Sequence, residues 1–302
     1  MTDVATTVRD PINDRAEGAS QPLPQPARPR QLIRFFVRRP GLLISIGYLA
    51  LLLCAAFAPT LLAGGDPLTG VPALRLRPPS TAHLFGTDYL GRDLYTRVVH
   101  GASLSLQATV IAVGLALVVG GLLGSLAGFV GRWVDEALMR FVDTVMAIPS
   151  ILLSLALITA LGYGTIKVAI AVGVASVANF ARVTRAETLR IRYSTYVEAA
   201  RSVGTRWHVT LWRHVLPNAA GPVLVLAVLE FGLAILQVSS LSFLGYGAPP
   251  PAPEWGALIA DGRNYLATSW WLCALPGFVI AAAVLAVNRV SQALDREWAR
   301  AS

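Results

Sequence analysis

Residues 196–218 read YVEAARSVGTRWHVTLWRHVLPN. The stretch is polar and arginine-rich, yet it lies between long apolar segments. A segment facing lipid must keep its side chains apolar and its backbone bonded internally, so this island belongs in water beside a membrane. Thr195-x-x-Glu198 has the spacing of a capping box and predicts a helix start near Tyr196. Gly204 supplies a position that takes a left-handed conformation and stops that helix. Thr205 is expected to cap a second helix, with Trp207, Leu211 and Val215 along one side, and Pro217 to block its continuation. A helix–turn–helix knob results, with Tyr196, Ala199, Ala200 and Val203 on one face of its first helix.

The surroundings make this an integral membrane protein. Of 302 residues, 55% are hydrophobic and 14% charged, where soluble domains carry about 25% charged residues. The mean hydropathy is +0.59. Uncharged or nearly uncharged runs at 41–63, 101–131, 144–166, 168–181, 219–246 and 264–288 predict six spans, each crossing taking roughly 20 residues. The fourth run is short and needs Lys167 to snorkel. Pro149 and Pro276 should kink the third and sixth spans. Residues 1–30, with five prolines, cannot bury enough apolar surface to fold and are expected to form a disordered cytoplasmic tail before a membrane-spanning bundle over 31–302.

Basic residues orient the chain. With the N-terminus inside, 19 arginines fall in inner segments and five in outer loops. Both termini and the 188–217 loop are therefore cytoplasmic, the 64–100 loop is extracytoplasmic, and the net charge of +8 serves topology rather than nucleic acid. In the outer loop, Asp88–Arg92 and Asp93–Arg97 at i,i+4 predict a surface helix over 88–100. Gly120, Gly124 and Gly128 form overlapping small-xxx-small steps that favour close helix packing within the chain over a dimer seam. Cys54 and Cys273 lie in apolar runs and read as small hydrophobes. His83, His100, His208 and His214 do not have metal-ligand spacing.

Three readings of the island compete: DNA binding, which its place between membrane spans argues against; lipid-headgroup binding through Trp207, Trp212 and the arginines; and docking of a protein partner. Glu230, an ionisable group in mid-span, is a candidate for the translocation path or for pairing with a neighbouring helix. Asp143 reads as a carboxylate at a helix start.

The set Glu198-Ala199-Ala200, Gly204 and His214-Val215-Leu216-Pro217 is similar to the signature loop of ABC importer permeases. His214 stands where the general pattern has an aliphatic residue, which resembles the peptide/nickel branch. Residues 85–94 (FGTDYLGRDL), 241–247 (LSFLGYG) and 254–259 (EWGALI) agree with that branch and with its second, C-type permeases. The resemblance spans about 33–300.

It implies a six-helix, type I ABC importer permease in the cytoplasmic membrane of a prokaryote. The same resemblance implies a non-catalytic subunit of a di- or oligopeptide importer, expected to work with a second homologous permease, two ATPase subunits and an extracytoplasmic solute-binding protein. ATP and Mg²⁺ would sit on the ATPases and no cofactor on this chain, which lacks a G-x-x-x-x-G-K-[ST] phosphate loop. Glu198, Ala199, Ala200, Gly204, Leu216 and Pro217 would form the ATPase-docking loop. An ion-gradient-driven transporter and a membrane scaffold are the alternative classes.

Overall fold

The computed structural model describes residues 40–301, so the reading of 1–30 as a tail lies outside the described residues. Among them the regular structure is helical, with one isolated bridge between Thr87 and Asp93. The helices are α1 (Pro40–Phe57), α2 (Pro59–Leu62), α3 (Leu94–Val130), α4 (Arg132–Met146), α5 (Ser150–Leu161), α6 (Thr165–Arg192), α7 (Thr195–Ser202), α8 (Trp207–Thr210), α9 (Leu216–Phe243), α10 (Trp255–Gly262) and α11 (Trp271–Ala301). Five segments are long and apolar enough to cross a membrane, and the α4–α5 pair forms a sixth, broken one.

The spine of the bundle is α3 against α6. Lipid tails are as apolar as leucine, so spans associate through close packing rather than a hydrophobic drive. The glycine stripe of α3 allows that contact. A Cβ on Gly120 would stand 2.5 Å from the Val177 carbonyl, one on Gly124 2.3 Å from that of Ala181, and one on Gly128 2.9 Å from that of Arg185. The stripe is thus an intramolecular seam.

Three expectations about spans are corrected. The third is not one helix bent at Pro149: α4 and α5 meet at 90°, and Pro149 precedes α5 as its N-cap. The earlier half is amphipathic, with Met139, Val142 and Val145 packed on Ala178 and Ala181 of α6. The 14-residue fourth run is only the middle of a 28-residue helix. Arg185 and Arg182 do not end it because acids on α4 meet them. Arg185 makes a two-pronged pair with Asp135, and Arg182 Nη2 donates to Asp143 Oδ1 at 2.5 Å. Asp143 accordingly lies near the end of α4 and not at a helix start.

The outer loop also departs from its expected helix. Asp88 and Arg92 pair within a turn: Asp88 Oδ2 accepts from Arg92 Nε at 2.6 Å and Oδ1 from the Leu90 and Arg92 amides. Gly91, at φ +78°, needs the freedom only glycine has there. Asp93 is the N-cap of α3, its Oδ2 accepting from the Thr96 amide and hydroxyl at 2.8 Å. The i,i+4 spacing misleads because side-chain caps compete with helix for such acids.

The motif residues of the outer side form one clasp. Trp255 is fully buried; its indole donates to the Val98 carbonyl at 2.9 Å and its amide to Ser105 Oγ at 3.2 Å. Gly101 and Gly256 let that segment approach, since Cβ atoms there would stand 2.1 Å from the Pro253 carbonyl and 2.2 Å from that of Ser239. The Glu254 carboxylate accepts from Ser242 Oγ at 2.5 Å and the Ala248 amide at 2.6 Å, fastening the 245–254 loop.

Gly124→Val should lower the detergent melting temperature sharply, since overpacking of this kind costs about 1–3 kcal/mol or more. Gly121→Ala, where a Cβ meets nothing within 4 Å, should be neutral or slightly stabilising.

Candidate functional site

The island folds as two short helices joined to long ones at both ends. Helix α7 starts at Thr195 itself, and the Ser194 carbonyl accepts from the Val197 and Glu198 amides at 3.0 and 3.1 Å. The expected capping box is therefore replaced: Thr195 is inside the helix, and the chain turns at Ser194, whose hydroxyl donates to the Ile191 carbonyl at 2.6 Å. Gly204 ends α7 as read. It has φ +81°, and the Thr205 amide reaches back to the Ala200 carbonyl at 3.2 Å, the longer bond of a Schellman cap.

The second helix differs more. Arg206, not Thr205, is the N-cap of α8, without a side-chain cap. Pro217 does not end the helix either. A π-helical turn, Leu211–Val215, carries α8 into α9, with the Leu216 amide bonded to the Leu211 carbonyl. The wider turn absorbs the register change at a proline with no amide to donate, and Trp207–Phe243 runs as one helical stretch.

The knob has a dry side and a wet side. Val197, Leu211, Val215 and Ala219 pack with Phe129 of α3 and Ile191 of α6. Arg192 Nη1 donates to the Gly128 carbonyl at 3.1 Å, tying the base of the knob to α3. The other side is bare: Val203 is 86% exposed, Trp207 61% and Trp212 64%, and Tyr196, Glu198, Ala199, Gly204 and Pro217 are exposed as well. Ala200 and Leu216 are half-buried. Large exposed apolar groups next to small ones make this side a candidate interaction surface. No Cβ contact lies within 4 Å of Gly204, so glycine is required there by its dihedral angle alone.

Glu230 sits apart from this surface. It is 5% exposed, on α9, and accepts from Asn179 Nδ2 of α6 at 3.0 Å. A cavity of about 910 Å³ opens beside it, lined by Leu52, Leu106, Val110, Ala227, Phe231 and Val287 among others; Glu230 is not on its wall. Asn179 carried no signal in the sequence, because one amide in an apolar run has no spacing partner.

The described residues thus form a helical bundle of membrane-spanning length with a two-helix knob continuous with α6 and α9 and exposed on one side. The same fold occurs in a chain of the inward-facing MetNI methionine ABC transporter (TM-score 0.51, 18% identity, covering 66% of this chain and 96% of that one). It also occurs in an amino acid ABC transporter crystallised with histidines (TM-score 0.52, 15% identity, 67% and 94%).

Residues 120–300 match the family of binding-protein-dependent transport system inner membrane components, and the chain belongs to that family. It is 40% identical over 254 residues to the dipeptide transport system permease protein DppC of Alkalihalophilus pseudofirmus, covering 84% of this chain and 82% of the relative. It is 41% identical over 239 residues to the probable D,D-dipeptide transport system permease protein DdpC of Escherichia coli, covering 79% and 80%. With the di/tripeptide permease DppC of Pseudomonas aeruginosa it shares 38% over 284 residues, covering 91% and 93%. The chain is thus a multi-pass inner membrane protein with an ABC importer permease fold.

Glu230→Gln keeps an acceptor for Asn179 and should leave protein level and thermal stability near the parent's. Glu230→Leu strands that amide and should cost about 1–3 kcal/mol, read as a lower melting temperature in detergent.

Proposed function

We infer that the chain is a pore-forming permease subunit of an ATP-driven importer of di- and oligopeptides. The peptide relatives at about 40% identity over most of both chains support the solute class. The observation that carries the mechanism is the exposed face of the knob, continuous through the π turn with α9.

Permeases of ABC importers work with ATPase subunits and binding proteins. In this reading the chain itself is non-catalytic. ATP and Mg²⁺ sit on two ATPase subunits, an extracytoplasmic binding protein delivers the peptide, and a second homologous permease completes the pore. The apolar groove between α1, α3, α9 and α11 offers that second permease, or membrane lipid, a surface.

Ala199 and Ala200 give the ATPase a shallow face with little side-chain entropy to lose. Glu198 adds an acceptor in the first turn of α7, and Gly204 fixes the angle to α8. Leu216 and Pro217 lie where the knob joins α9. Closure of the ATPase pair draws the knob inward, and α6 and α9 tilt with it, held to each other by Asn179 and Glu230. Glu230 would meet the path only in a state where that pair has parted.

The engine is tested by purification: tagged chain expressed with its neighbouring genes should bring two ATP-binding subunits with it, and purification without them overturns the reading. Restoring the chain to cells that lack it should restore dipeptide uptake. Gly204→Asp places a charge on the docking face at a dihedral that aspartate tolerates better than most residues. It should insert normally yet lose peptide-stimulated ATP hydrolysis, and transport at the parent's rate would refute the docking assignment.

A further inference from the structure

The extracytoplasmic side holds a second, smaller cavity of about 410 Å³, a size that suits a small organic ligand. Its wall includes Tyr89, Arg92, Arg97, Tyr163, Pro250 and Asp261. It is a built cavity. Glu254 fastens the proline-rich loop on one side, and the Gly164 amide donates to the Tyr246 carbonyl at 2.9 Å on another.

Two buried guanidinium groups on this wall have donors to spare. Both side chains are nearly inaccessible, Arg92 at 5% and Arg97 at 2%. Arg92 spends its Nε on Asp88, and its Nη atoms donate to none of the described residues. Arg97 spends Nη1 on the Pro67 carbonyl at 3.1 Å. Its Nε is wholly buried without a hydrogen bond, 3.7 Å from Asp88 Oδ2. Asp88 already serves two amides and Arg92, and at this separation it pairs with Arg97 by charge without a hydrogen bond.

The acid on the wall is Asp261. Burial pushes its carboxyl up, against the pull of Arg97 and Arg92 and with the help of Asp88. A buried donor left unmade is costly, and a planar guanidinium fork fits a carboxylate with two parallel bonds.

We propose that this cavity is an entry site for the terminal carboxylate of the transported peptide, received by Arg92 and Arg97 as the peptide leaves its binding protein. The proposal rests on the peptide-importer reading and adds to it a place where this chain itself inspects the solute. Stacked rings at the rim, Tyr89 on Tyr265 at 5.8 Å and Tyr163 on Tyr246 at 5.7 Å, give peptide side chains of any kind an apolar surface.

The test uses the whole importer in nanodiscs without its binding protein, with L-alanyl-L-alanine and its C-terminal amide as probes and saturation-transfer NMR as readout. The acid should bind at least tenfold more tightly than the amide. Ala260→Phe narrows the cavity from α10 while leaving both arginines in the sequence, and should abolish the acid's signal while the ATPase subunits still co-purify. Equal binding of acid and amide, or parent-like binding by the narrowed variant, overturns the site.

The acid-versus-amide comparison needs no variant and so stands even if Ala260→Phe does not fold. An acidic side chain of the binding protein is the other source of a carboxylate. Docking of the peptide-free binding protein should survive Ala260→Phe, and its loss assigns the cavity to that protein instead and overturns the proposal. Failure of the ATPases to co-purify with the parent would sink the importer reading, whereas an intact importer that ignores the carboxylate sinks only this site.

Discussion

The close approach of α3 and α6 is the constraint on which the other features depend. Three glycines one turn apart remove the side chains that would hold the helices at ordinary distance, and dispersion across the seam replaces the hydrophobic drive that a bilayer cannot supply. Both ends of the functional apparatus are seated on this pair. The cytoplasmic knob packs on Phe129 and Ile191, at the inner ends of α3 and α6. The outer clasp buries Trp255 against Val98 and Ser105, at the opposite end of α3. A shift in the seam is therefore felt at both membrane faces.

Charges at the inner face reinforce the seam rather than compete with it. Arg185 with Asp135, and Arg182 with Asp143, fix the amphipathic helix α4 across α6. That explains how an arginine-bearing helix continues well past the apolar stretch: each charge has a partner within the protein. The Asp143–Arg182 pair is exposed and worth little by itself, but it reports on where α4 lies. The half-buried Arg185–Asp135 fork is the firmer tie.

Much of this was legible in the sequence. The places of the first, second, fifth and sixth spans, the glycine seam, the stop at Gly204 and the exposed face of the knob follow from periodicity, small-residue spacing and the positional meaning of glycine. What failed were inferences from a single local signal. Thr195 and Glu198 have capping-box spacing, yet the chain turns one residue earlier, because the Ser194 carbonyl already accepts two amides. Asp93 and Arg97 have helical spacing, but Asp93 is taken by the Thr96 amide. Pro217 reads as a break, but the π turn just before it lets the helix continue. The right-angle bend after Met146 and the Asn179–Glu230 bond had no one-dimensional signature, since both depend on which helix lies alongside.

The π turn also constrains how the gene can change length. Five residues fill it, with the bond closing from Leu216 to Leu211 rather than to Trp212. Deleting one of them would restore ordinary α geometry, but each residue turns a helix by about 100°. The knob would then face a different compass direction relative to the bundle, while remaining well folded in itself. Insertions and deletions between Trp207 and Pro217 should therefore be far less tolerated than substitutions, because what is held fixed there is an angle of rotation rather than a set of side chains.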